Sequence, residues 1–162
     1  MPSATRRSIL ASLGTAGLTV LAGCGFNEAD EPSAGSLQFV NEHELPHAVS
    51  MRVTGVGSTP GDGPDEVEGD PIVPPGQRGL RASTVVRPTE TQTYEGVFTE
   101  PVWYGVEFTV DGELPDDNAG QVKYYPAPRN DEPGSVLVGK VYESGEFSWI
   151  VRSTADPGAF SE

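Results

Sequence analysis

Val102, Tyr104, Val106, Phe108 and Val110 alternate with Trp103, Gly105, Glu107, Thr109 and Asp111. A period of two is the mark of a strand that buries one face, because successive side chains leave a pleated backbone on opposite sides. The same alternation returns elsewhere. Val49, Met51 and Val53 oppose Ser50, Arg52 and Thr54; Leu80, Ala82, Thr84 and Val86 oppose Arg81, Ser83 and Val85. Leu37 and Phe39 open the series, and Phe147, Trp149 and Val151 close it. No stretch after residue 24 carries a convincing period of 3.6. The chain is therefore expected to be all-β, an immunoglobulin-like sandwich of about seven to nine short strands.

The interruptions fit the same reading. The chain holds 20 Gly and 15 Pro in 162 residues, and much of this lies between candidate strands, where turns need it. Asp111-Gly112 and Ser144-Gly145 are turn pairs, and Pro126-Ala127-Pro128 breaks a strand that holds Val122 and Tyr124. Val136–Tyr142 is apolar on both faces, as a central strand would be. Tyr94–Thr99 reads as a short strand. Gly55–Gly76 reads as a long acidic, mobile loop with a brief edge strand at Pro71–Val73.

The head of the chain carries an address. Thr5-Arg6-Arg7-Ser8-Ile9-Leu10 resembles a twin-arginine export signal, and Leu21-Ala22-Gly23-Cys24 resembles a lipobox. Residues 8–23 hold no charge, but they are short for a ~30 Å hydrocarbon core and diluted by glycine and threonine. The resemblance implies that Arg6 and Arg7 are read by the twin-arginine export machinery and that Cys24 takes a two-chain lipid. Two chains hold durably where one holds marginally. The expected plan is a signal peptide over 1–23, a flexible acidic tether over 24–35, a sandwich over 36–153 and a tail over 154–162. The localisation that follows is extracytoplasmic, on the outer face of the cell membrane.

Charge narrows the partners. Residues 1–23 contain two arginines and no acid, so the remainder has 8 basic and 24 acidic residues, a net −16. That balance repels nucleic acid. It also strains a compact domain at low salt, and dispersed acids with few lysines point to adaptation to concentrated salt. Cys24 is the sole cysteine. Once it carries lipid, disulfides, thiolate metal sites and cysteine nucleophiles are excluded.

Three stretches, FVNEHELPHAVSMRVTG, VPPGQRGLRASTVV and EPVWYGVEFTVDGE, together resemble the small immunoglobulin-like or cupredoxin-like lipoproteins of salt-loving archaea. The resemblance implies a sandwich in which Tyr104 acts as a tyrosine corner, and it assigns no catalytic residue.

The candidate chemistry is sparse. A blue-copper site requires a thiolate that the chain cannot supply. His43 and His47, with Glu42 or Glu44, are metal-type residues without a third ligand at suitable spacing, and read as surface turn histidines. The acidic stretches Asp62–Asp70 and Asp116–Asn118 hold oxygen ligands but no calcium-loop pattern. No nucleophile-elbow or phosphate-loop motif occurs. Neither a cofactor, a metal nor an enzymatic activity is expected. The working surface expected from the alternation is Trp103, sent to the face opposite Tyr104, with Tyr125 near it. The function that follows is a non-enzymatic interaction or structural module of the cell envelope with a protein partner. The alternative is a lipoprotein that binds a small ligand or calcium and delivers it to a membrane partner.

Overall fold

The computed structural model describes residues 31–161. Its strands are β1 (Leu37–Asn41), β2 (His47–Gly57), β3 (Thr59–Pro60), β4 (Val67–Glu68), β5 (Arg81–Val86), β6 (Thr91–Tyr94), β7 (Trp103–Val110), β8 (Gln121–Tyr124), β9 (Ser135–Val141) and β10 (Phe147–Ser153), with one α-helical turn, α1 (Pro75–Arg78), and a 3-10 turn at Asp116–Asn118. One sheet runs β10-β9-β1-β6, the other β5-β2-β7-β8, and β3-β4 forms a separate ribbon. Every pairing is antiparallel except β1 with β9. The protein is an all-β sandwich. Its ten strands exceed the expected seven to nine because the ribbon contributes two of two residues each.

The inward set of each alternating run meets in one core. Leu37, Phe39, Leu137 and Val141 from the first sheet pack on Val49, Met51, Val106, Phe108 and Val122 from the second. Phe39 meets Phe108 edge-on across the sheets, ring centroids 6.4 Å apart. Gly139 lies under Phe108, and a Cβ there would stand 2.9 Å from its ring. Removing several such side chains from water at ~25 cal/mol per Å2 is the main drive to this fold.

Two tyrosines are buried whole, and each hydroxyl is satisfied. Tyr104 donates to Gln77 Oε1 at 2.6 Å and accepts from the Glu100 N–H at 3.3 Å, four residues upstream, which is the expected corner. Tyr124 donates to the Ser135 carbonyl. Burial pushes both phenols well above their ordinary 10.0.

Glycine explains what the sequence reading assigned to a mobile loop. The β2–β7 register slips between Val53 and Gly55, so Thr54 is a bulge. The bulge shifts the inward phase from Val53 to Val56, which pairs with Tyr104 in the core. Gly55 then faces Gly105 across the ladder. On this side-chain-free patch the β3-β4 ribbon lies flat. A Cβ at Gly105 would collide with the Asp65 carbonyl, and one at Gly55 would sit 3.1 Å from Val67. Thr54 donates to Asp65 at 2.8 Å and Lys123 to the Gly61 carbonyl at 2.6 Å, fastening the ribbon down.

Two expected strands are not where the sequence reading placed them. Pro71–Val73 is not a strand; Arg78 instead holds the Pro71 carbonyl at 2.7 Å and Asp70 at 2.6 Å. Tyr94 ends a strand rather than starting one, since Thr91–Tyr94 pairs with β1 and Gly96 turns away at φ 61°. The domain also extends past both expected bounds. Gly35 donates to the Ser135 carbonyl and Ala34 to that of Asp156, while Thr154 Oγ1 donates to the Pro32 carbonyl at 2.7 Å. Residues 32–35 and 154–161 are thus a clasp rather than tether and tail.

Candidate functional site

β1, β9 and β10 fix two ends to the sandwich. At one end lie the start of β1, the start of β9 and the finish of β10, since Leu37 registers with Leu137 and Ser135 with Ser153. The chain enters here, through the clasp. At the other end lie the β1–β2 turn, the turn after β7 and the β9–β10 turn.

The entry end carries the aromatic pair anticipated from the sequence. Trp103 opens β7 and Tyr125 follows β8, and their rings stand 5.4 Å apart at 54°. Both are half-buried. Arg129, on the two-residue turn closed by its backbone bonds with Glu132, reaches back over both. Its guanidinium carbon is 5.0 Å from the Tyr125 ring centroid and 6.0 Å from that of Trp103. This contact holds a cation in place over both rings. The pair and Arg129 border an open cleft of about 410 Å3, with Lys123, Val151 and Ser153 on its walls. Arg129 was not singled out from sequence. Its signal was its place four residues beyond Tyr125, across a Pro-Ala-Pro break.

The opposite end holds a chain of hydrogen bonds that sequence spacing did not reveal. His43 Nδ1 lies 2.7 Å from His47 Nε2, and His47 Nδ1 lies 2.7 Å from Asp111 Oδ2. Asp111 Oδ1 also accepts from the Ala48 N–H at 2.9 Å. A carboxylate only accepts, so the network assigns the Nδ1 proton to His47 and leaves its Nε2 to accept from His43. The hydrogen bond from His47 holds the Asp111 carboxyl below its ordinary 3.8, with the Ala48 N–H adding to the effect. His43 and His47 are half-buried rather than open turn residues. They border an open cleft of about 800 Å3 with Asp116, Asp117 and Glu146.

The metal alternatives do not converge here. Glu42 pairs with Lys140 at 2.7 Å instead of joining the histidines. Among the described residues no three His, Asp, Glu or Cys side chains come together as ligands. In the Asp62–Asp70 stretch, Asp65 is turned to Thr54, Glu66 to the Gly63 N–H and Asp70 to Arg78. Each of these carboxylates already has a hydrogen-bond partner within the protein.

Arg6, Arg7 and Cys24 lie outside the described residues. No helix among the described residues is long and apolar enough to cross a membrane. No family model, curated protein or solved structure matches this chain.

Proposed function

We propose that this protein is a lipid-anchored, extracytoplasmic interaction module of the cell envelope, held by Cys24 and engaging a protein partner through Trp103 and Tyr125. The observation that carries the reading is the Trp103–Tyr125–Arg129 stack on an open cleft at the end where the chain enters the domain. Aromatic rings and arginine are the side chains that dominate binding energy at protein interfaces, and here they are held in place before any partner arrives. The export and lipid motifs support the location, and the net −16 after residue 23 supports a salt-rich exterior.

The test has two parts. Cys24→Ser should release the protein from membrane fractions, and Arg6→Lys with Arg7→Lys should leave precursor in the cytoplasm. A photo-reactive residue in place of Tyr125 should then cross-link one discrete protein in native membranes. Membrane retention of Cys24→Ser, or no adduct at position 125, would refute the reading.

A further inference from the structure

The aromatic cleft lies between two open sheet edges. β8 ends one side of its sheet and β10 one side of the other, and Tyr125 and Lys123 face Val151 and Ser153 across the gap. Of the edge strands β10 is the longest, seven residues, with Ile150 and Val151 exposed and Arg152 its sole charge. It contains no proline, no acid and no bulge in its ladder with β9. Edges of this kind are normally guarded, because their unpaired N–H and C=O groups accept another strand. β6 and β8 are four residues each, and β5 is followed at once by Arg87-Pro88. β10 alone lacks such a guard.

Charge chooses the occupant. The cleft holds Lys123 and Arg129 against one acid, Glu132, on a chain otherwise heavily negative. Arg129 makes none of the ion pairs found among the described residues, which join Arg52 to Glu107, Arg78 to Asp70, Lys140 to Glu42 and His47 to Asp111. Its planar fork, fixed on the two rings, is shaped for a carboxylate. The net −16 opposes an acidic ligand at long range. In molar salt the screening length is ~3 Å, so only charges in contact count, and in this cleft those are positive.

Chain length places the partner. Six residues lie between Cys24 and Glu31, so seven steps, at most about 25 Å of extended chain, join them. Ser135, on the wall of the cleft, receives the Gly35 N–H at the entry clasp. A domain anchored at Cys24 therefore carries this cleft next to the membrane.

Resting on the proposed module reading, we infer that the cleft receives an extended acidic segment of a second, membrane-adjacent polypeptide, added as a strand to β10 with a carboxylate on Arg129. The test uses the protein lacking residues 1–23 with Trp149→Phe, leaving Trp103 as the single tryptophan, excited apart from the tyrosines. The probes are the alternating hexapeptide of Asp and Val, its Lys–Val counterpart, and the Asp–Val peptide N-methylated at every second residue. The Asp–Val peptide should change Trp103 emission and bind at least tenfold more tightly than either of the others. Arg129→Gln should abolish the preference over the Lys–Val peptide while that over the N-methylated peptide remains, and Arg129→Lys should restore only part of the former. Equal binding of the Lys–Val peptide would overturn the charge argument, and equal binding of the N-methylated peptide would overturn strand addition. A tighter response to an oligogalacturonate would assign the cleft to acidic glycan instead. A response to protein concentration alone, with dimers in sedimentation, would assign it to a second copy. Any of these results, with the position 125 adduct retained in membranes, sinks this inference and leaves the module reading; loss of the adduct sinks the reading.

Discussion

Asp111 shows how much one side chain can organise. It follows β7 at φ 53°, a conformation that Asp and Asn tolerate and most residues do not. From there its carboxylate caps Ala48 and orients His47, which in turn orients His43. Because the folded-state pKa of Asp111 is depressed, its contribution is present above the ordinary carboxylate value and is lost as pH falls through the lowered one. Asp111→Asn keeps the turn geometry and removes the charge. It should cost at most about 1 kcal/mol at pH 7, since the carboxylate is exposed and screened. The gap to the parent in denaturant unfolding should narrow as pH falls below the ordinary carboxylate value, and a gap that does not change with pH would contradict the assignment. The sequence placed Asp111-Gly112 correctly as a turn and could not show the histidine chain. Residues 64 apart are joined by the sheet, not by spacing.

At the scale of elements, the alternating runs were legible because burial on one face writes itself into a period of two. β2, β5, β7, β9 and β10 all lie within a few residues of their expected places. The ribbon was illegible for a physical reason: its recognition signal is absence. Gly55, Gly57 and Gly105 present backbone where other strands present side chains, and a second layer rests on them. The Pro71–Val73 expectation failed because apolar content alone does not supply a pairing partner. Tyr125 was expected near Trp103 and lies there, whereas Arg129 depends on a two-residue turn with Asn130 at φ 51° that no period announces. Gly105→Ala should lift the ribbon without unfolding the sandwich. Limited proteolysis should then cut within 58–68 at least tenfold faster, with the β-type circular dichroism spectrum retained. An unchanged cleavage rate would mean that the ribbon is held by something other than this close approach.

For the whole molecule, charge sets the conditions under which these contacts persist. Of 24 acids, few sit in ion pairs; among the described residues only Asp70, Glu42, Glu107 and Asp111 do. The rest repel one another over a Debye length that shrinks from ~10 Å at 0.1 M to ~3 Å at 1 M. The protein starting at residue 31 should lose thermal stability steadily as salt is dialysed away, and a midpoint that is flat from 0.1 to 2 M would exclude salt adaptation. Gibbs energy aside, the entry clasp has a mechanical meaning. Tension arriving from residues before 31 meets Pro32, Ala34 and Gly35, bonded to Thr154, Asp156 and Ser135. A load taken up at Tyr125 or at the finish of β10 lies at that same end, so the force path from the clasp is short. A load taken up at the distant β9–β10 turn would instead drag β1 along its parallel neighbour β9, straining all their shared hydrogen bonds at once. The same sandwich is thus compliant to a tug at one end and stiff to a tug at the other.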